Sequence, residues 1–335
     1  VTTVAVLGAG IIGKRLAAAL ATAARGEETD LRLGGVVIRN PNAFAFARPE
    51  LPFYAADAQA AQRLRAAGIE PRGLAGELYA AADLVVDCGP SRTGAGRARE
   101  YQAADIRPIF CGGERDPLLG PLVHSAVNPE QAGHAAGVRL LSCNTTALAR
   151  IVAGVGPASV AALDATVLRC STDTDKAGKG VTNGAVLSPA PSHHAEDLRA
   201  ILPGLRARTI AATVAMTAGH VIHVRITPAD VGADTLWERL SDTARVLATT
   251  GSAPLDTARL KQDSDRPRHD RHAVRAARIE GAGPDLLEFW LSLDNQAITL
   301  PETLDVIQLA AGSVDAGKAR AMSDRLLEME WTSAS

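Results

Sequence analysis

Val4-Ala-Val-Leu-Gly8-Ala-Gly10-Ile-Ile-Gly13 is a short apolar run followed by a glycine-rich turn, and from Lys14 to Ala24 it leads into an Ala/Leu-rich stretch with the texture of a helix. The order is strand, turn, helix. The turn spells GxGxxG in the setting that motif requires, directly after a strand and at the opening of a helix. Gly8 permits the tight turn, Gly10 lets the backbone approach a pyrophosphate, and Gly13 lets helix and strand pack closely. Ile11 and Ile12 lie where the first helical N–H groups face an anion. The stretch predicts a dinucleotide-binding turn; the plainer alternative is a glycine turn in a domain of the same shape that binds nothing.

Outward from this unit the alternation continues. Leu33 to Ile38 reads as a strand broken at Pro41, followed by a helical stretch from Ala56 to Ala67. Leu74 to Ala82 and Ala95 to Ala104 read as helices, and Leu84 to Cys88, Pro108 to Cys111 and Val138 to Leu141 as strands. Strands alternating with helices of this length predict an α/β Rossmann domain with a doubly wound parallel sheet. Past residue 142 the texture changes. Val160–Cys170, Thr209–Ala215, His220–Ile226 and Leu286–Leu293 are strand-like, with one long helical pattern from Pro228 to Ala248, which predicts a second, α+β domain with a mixed or antiparallel sheet. Arg259 to Arg278 reads as a charged surface excursion and Asp315 to Glu330 as a terminal helix. The expected domains are residues 1–142 and 143–310, with a C-terminal segment 311–335.

Length and composition agree with this division. The 335 residues suit two domains, and 47% hydrophobic with 21% charged residues is ordinary globular composition. No apolar run is long enough to span a bilayer, so no membrane partner is expected. With 35 Lys and Arg against 37 Asp and Glu, the net charge of -2 offers no global attraction for nucleic acid. The basic cluster Arg266, Arg268, His269, Arg271 and His272 is interrupted by Asp263, Asp265 and Asp270 and has no interleaved aromatic, so it reads as a solvated loop. Cys88, Cys111, Cys143 and Cys170 form no CxxC pair, no metal-ligand spacing occurs, and no basic-then-apolar leader precedes the glycine motif. A cytoplasmic protein with reduced thiols and no metal is expected.

Chemistry concentrates at Ser142-Cys143-Asn144-Thr145-Thr146, where a buried-looking strand meets a helix start. A thiol there is activated by the helix N-terminus, whose N–H groups also suit an oxyanion, so Cys143 is a candidate nucleophile; a small core residue is the bland alternative. A base must come from elsewhere in the chain. His220 and His223 share a strand-like run but face opposite sides of it, so only one can serve a given site. His193 and His194, after Pro191-Ser192, read as an anion contact or a solvated loop. Arg169 ends a strand and could grip an anion. The second strand ends in Ile38-Arg39-Asn40, with a cation and no carboxylate where a ribose 2′-hydroxyl is usually met, so NADP is expected to bind at least as well as NAD.

Together these motifs resemble the archaeal-type (type II) glyceraldehyde-3-phosphate dehydrogenases from end to end. The resemblance is carried by Gly8 to Arg15, Ala82 to Asp87, Ile109 to Glu114, Ser142 to Thr146, Lys179-Gly180 and Pro191-Ser192-His193-His194. It implies Cys143 as nucleophile and His220 as base, with His223 as the fallback. Around substrate and inorganic phosphate it places Ser142, Asn144, Thr145, Thr146, Arg169, His193 and His194. Gly8, Gly10, Ile11, Ile12, Gly13, Arg39, Gly89, Gly112 and Asn295 would hold NADP or NAD. It further implies a homotetramer, a final helix returning to the cofactor domain, and phosphorylating oxidation of a phosphorylated aldehyde through a thioester. Two departures stand out. The family's Arg-Arg-Gly strand end reads Arg169-Cys170-Ser171, which predicts one cation fewer in the pocket, and its His-Gln-Glu stretch reads Asp294-Asn295-Gln296. A relative acting on another anionic aldehyde, or a binding protein that has lost turnover, are the alternatives.

Overall fold

The computed structural model describes residues 1–23, 29–90, 92–111, 113–171, 183–249, 254–257, 269–312 and 314–329. It divides into two compact units, Val1–Leu141 with Leu300–Leu327, and Ser142–Thr299 with the residues from Glu328 on.

In the first unit, among the described residues, β1 (Thr2–Leu7), β2 (Leu31–Ile38), β3 (Phe53–Ala55), β4 (Leu84–Asp87), β5 (Arg107–Phe110), β6 (Leu122–Val123) and β7 (Val138–Leu140) form one sheet in the order β3-β2-β1-β4-β5-β7-β6. Every pairing is parallel. Val4, Ala5 and Val6 at its centre are fully buried, as a strand covered on both faces must be. The chain leaves β1 toward β2 and β3 on one side and continues with β4 and β5 on the other. The crevice of this doubly wound sheet therefore lies at the ends of β1 and β4, where Gly8 and Gly89 follow the strands. The C-terminal return begins earlier than residue 311. Leu300–Ala310 is a helix whose Leu300, Leu304 and Ile307 are buried with Val4, Val6 and Leu20, so this helical stripe belongs to the first unit. The terminal helix is Ala316–Leu326, capped by Asp315.

In the second unit β8 (Val160–Cys170), β9 (Val186–Leu187), β10 (Ala207–Val214), β11 (His220–Pro228), β12 (Val246–Thr249), β13 (Val274–Arg278) and β14 (Leu287–Leu293) form a mixed sheet in the order β12-β13-β14-β11-β8-β10-β9. β8 with β10 and β12 with β13 are parallel; the other pairs are antiparallel. The helices Cys143–Val155, His194–Ile201 and Ala233–Ser241 pack on one face. Two expectations are corrected. The helix predicted over Pro228–Ala248 is only Ala233–Ser241: the chain turns at Arg245, which takes the left-handed φ of 64°, and Val246–Thr249 becomes a strand against Val274–Arg278. The predicted surface excursion thus ends in β13, because cross-strand pairing outweighs local charge.

Candidate active site

In the second unit Ser142 stands as N-cap and Cys143 as the first residue of the Cys143–Val155 helix, whose first intrahelical bond runs from Thr146 N to the Ser142 carbonyl at 2.8 Å. The N–H groups of Cys143, Asn144 and Thr145 precede that ladder and carry the positive end of the helix dipole. His220 opens β11 and is buried. Its Nδ1 lies 3.7 Å from Cys143 Sγ and 3.0 Å from Asn144 Oδ1. With the amide oxygen turned toward it, Nδ1 is favoured as an N–H donor, and a sulfur sharing that proton must then act as acceptor. The arrangement favours a Cys143 thiolate over a thiol. Asn144, expected among the substrate contacts, has its side-chain oxygen engaged on the imidazole.

Strand register supplies the next neighbours. Val221 pairs with Leu168 and Ile222 with Val167, so His220 and Arg169 stand side by side on the helix-covered face, and Thr213 pairs with Arg169 from β10. Arg169 Nε is buried with no hydrogen-bond partner among the described residues. Alternation sends Cys170 to the opposite face, where it is 2% exposed. An arginine at 170 would not point toward His220, so the expectation that Cys170 costs the pocket a cation does not hold. His223 also lies on that opposite face, bonded through Nε2 to Glu288 at 2.8 Å and in tilted ring contact with Trp290. It is therefore separated from Cys143 by the sheet.

The helix His194–Ile201 packs beside the Cys143–Val155 helix and brings a third group. Thr145 Oγ1 bonds Ser142 Oγ at 2.9 Å and lies 3.5 Å from Asp197 Oδ2, which sits 3.7 Å from His193 Nε2. The His193 and His194 rings meet at a tilt of 33° with centroids 4.1 Å apart. His194 is buried with Nδ1 at 3.2 Å from Ser192 Oγ, which itself donates to Thr209 Oγ1, so His194 braces its loop while His193 keeps an exposed edge. Thr146 is buried in the helix's first turn. Sequence reasoning missed Asp197, Thr209 and Thr213; nothing in their spacing announces a meeting of three separate elements.

Asn295 lies in a turn held from Asp294, whose Oδ1 accepts the Gln296 N–H and whose Oδ2 takes Arg271 Nε and Nη2 at 2.9 and 2.7 Å. Arg271 is thus a structural cation rather than part of a solvated cluster; Arg266 and Arg268 lie outside the described residues. His272 donates its Nδ1–H to the Ala297 carbonyl, 2.9 Å away, and burial pushes its pKa down. Arg150, buried in the Cys143–Val155 helix, binds the carbonyls of Arg245, His272 and Ile298 at 3.1, 2.8 and 3.0 Å. Arg150→Met would strand three acceptors, and we expect it to cost about 3 kcal/mol or more, read as a lower unfolding midpoint in urea. An unchanged midpoint would mean that water replaces the guanidinium.

In the first unit Gly8 takes φ 90° with its N–H on the Val37 carbonyl at 2.9 Å, and a Cβ at Gly13 would strike the Gly8 carbonyl oxygen. A Cβ at Gly10 would meet nothing within 4 Å, so that backbone is open to a close ligand, and the helix starting at Ile11 points its N–H groups there. These residues fit a pyrophosphate. The loop after β4 is held by Asp87, 2% exposed, which accepts Arg97 Nε and Nη2, both at 2.8 Å, Tyr101 Oη at 2.8 Å and the Gly89 N–H at 2.9 Å. Gly112, like Lys179 and Gly180, lies outside the described residues. At the end of β2, Arg39 Nη1 is 2.9 Å from Asp57 Oδ2. A carboxylate that follows β3 therefore stands beside the cation at the end of β2.

Comparison with known proteins identifies relatives of this chain. The family model described as glyceraldehyde 3-phosphate dehydrogenase, C-terminal domain, matches residues 142–276. Glyceraldehyde-3-phosphate dehydrogenase of Halobacterium salinarum is 31% identical over 336 residues, covering 97% of this chain and 98% of the relative. The protein of that name from Metallosphaera sedula is 29% identical, covering 96% of each. Among solved structures, aspartate semialdehyde dehydrogenase II from Vibrio cholerae superposes with a TM-score of 0.66 at 12% identity, covering 99% of each chain, a likeness of fold alone. No helix among the described residues is long and apolar enough to cross a membrane, and no group of three or more His, Cys, Asp or Glu among them could hold a metal ion.

Proposed function

The chain belongs to the glyceraldehyde-3-phosphate dehydrogenase family in its archaeal form, and from that premise we propose that it is an NAD(P)-dependent dehydrogenase that oxidises glyceraldehyde 3-phosphate with phosphorylation of the acyl group. The observation that carries the reading is the Cys143 sulfur at a helix N-terminus, 3.7 Å from His220 Nδ1. The Cys143 thiolate adds to the aldehyde carbon, forming a C–S bond and placing negative charge on the former carbonyl oxygen, which the N–H groups at the helix start stabilise. His220, holding the proton taken from the Cys143 thiol, gives it from Nδ1 to that oxygen, which becomes the hydroxyl of a thiohemiacetal and leaves the imidazole neutral. His220 then takes the hydroxyl proton as the carbon is oxidised to a thioester. When bound, the nicotinamide dinucleotide supplies the hydride acceptor, and the residues of the first unit that would hold it are Gly8, Gly10, Ile11, Ile12, Gly13, Arg39 and Gly89. Arg169, Thr145 and His193 would bind the substrate's phosphate and the attacking inorganic phosphate. That attack breaks the C–S bond and returns the thiolate.

The test is cofactor reduction with a panel of aldehydes, in the presence and absence of phosphate. Activity confined to glyceraldehyde 3-phosphate with phosphate supports the proposal; activity confined to another anionic aldehyde moves the assignment to a relative of different substrate.

Asn144 yields a separate expectation. Asn144→Ala removes the acceptor that keeps a proton on His220 Nδ1. The thiol should then need a higher pH to react, and turnover near neutrality should fall roughly tenfold, recovering in part at alkaline pH. A uniform loss at every pH would mean that Asn144 acts on the oxyanion instead.

A further inference from the structure

At the end of β2, Arg39 is joined by Asp57 and Arg63, two charged groups that the dinucleotide reading does not use. Arg39 extends from the end of this strand, and its guanidinium is held by Asp57 at 2.9 Å. Asp57 follows β3, the neighbour of β2, and its other oxygen accepts the Ala60 N–H at 2.7 Å as cap of the helix Ala58–Ala66. From that helix Arg63 reaches back to the Arg39 carbonyl, with Nε at 3.4 Å and Nη2 at 3.3 Å. Two guanidinium groups and one carboxylate therefore share a solvent-exposed patch. In a doubly wound sheet this is where the adenosine ribose of a dinucleotide is met.

A carboxylate here can accept a ribose 2′-hydroxyl, and cations can bind a 2′-phosphate. In this structure the carboxylate occupies the cation. We propose that Asp57 is a specificity-determining residue for the cofactor: it receives the 2′-hydroxyl of NAD, and by restraining Arg39 it holds back recognition of the NADP 2′-phosphate by Arg39 and Arg63. The inference rests on the dinucleotide reading of the glycine turn. It makes both cofactors usable, because the same patch supplies an acceptor to one and donors to the other once the ion pair opens. The Ala60 N–H, and after it the charges of Arg39 and Arg63, keep the Asp57 carboxyl below its ordinary pKa, so it stays ionised at neutral pH.

Asp57→Asn isolates the charge, since asparagine caps a helix about as well as aspartate. Calorimetric titration of the full chain with NAD and NADP, and with ADP and adenosine 2′,5′-bisphosphate as fragments, reads the ratio of affinities. Asp57→Asn should shift the ratio toward the 2′-phosphorylated ligand by roughly tenfold or more, and Asp57→Ser should do the same. Arg63→Ala should shift it by a similar factor toward NAD. Equal weakening of both cofactors by Asp57→Asn, or an unmoved ratio in a variant that melts like the wild type, would overturn the proposal. Failure of the wild-type chain to bind either cofactor would overturn the dinucleotide reading and this inference with it, whereas binding of both with an unmoved ratio removes only the inference.

Discussion

Cys143→Ser is expected to lower aldehyde oxidation by roughly a thousandfold or more while leaving affinity for NAD or NADP within about twofold, because a serine hydroxyl beside His220 is not ionised and adds poorly to an aldehyde. The cofactor residues proposed in the glycine turn belong to the other compact unit, so their affinity should not follow the substitution. Chemical labelling gives the same assignment independently. Iodoacetamide should modify Cys143 well before the other thiols, two of which are protected. Cys170 is 2% exposed, and the hydrogen bond to Cys111, followed by burial, pushes the Cys88 thiol well up. First labelling at Cys88 or Cys111, or a serine variant that keeps most of its activity, would remove Cys143 from the mechanism.

The second large effect concerns phosphate. Without phosphate or arsenate, oxidation of glyceraldehyde 3-phosphate should stop after about one equivalent of reduced cofactor per site, as the Cys143 thioester accumulates, and added phosphate should release steady turnover. The two adjacent histidines should then separate. His193 has an exposed edge and faces Asp197 at 3.7 Å, so His193→Ala should raise the phosphate concentration needed for half-maximal rate and leave the burst intact. His194 is buried against Ser192, so His194→Ala should also lower thermal stability. Steady turnover without phosphate, with a free acid as product, would make the protein a hydrolytic dehydrogenase. A burst seen only with another anionic aldehyde would assign a different substrate, and no hydride transfer with any aldehyde would leave a cofactor-binding protein without turnover.

Much of this site was legible because its parts are contiguous. The glycine turn and the Ser142–Thr146 helix start are local: strand end, turn and helix N-terminus are each specified by neighbours in the chain, and so is the chemistry of N–H groups at a helix start. The pairing of distant groups was not. From the residues alone His220 and His223 were equivalent; the helices packed on one face of β11 separate them. Cys170 looked like a missing cation until its strand register placed it behind the sheet. Asp57 did not stand out in the sequence, and the β2–β3 pairing makes it the partner of Arg39.

Short strands and the misread helix follow the same division. Val246–Thr249 lies in a stretch of helical texture, but pairing with Val274–Arg278 decides its state, and Phe53–Ala55 is too brief to show any alternation. The sequence by itself determined the two sheet classes, the dinucleotide turn and the position of the thiol, since periodicity and capping act over a few residues. Only the tertiary structure decided which histidine meets the sulfur, what Asn144 holds and which carboxylate meets Arg39, because strand register and face depend on contacts between residues far apart in the chain.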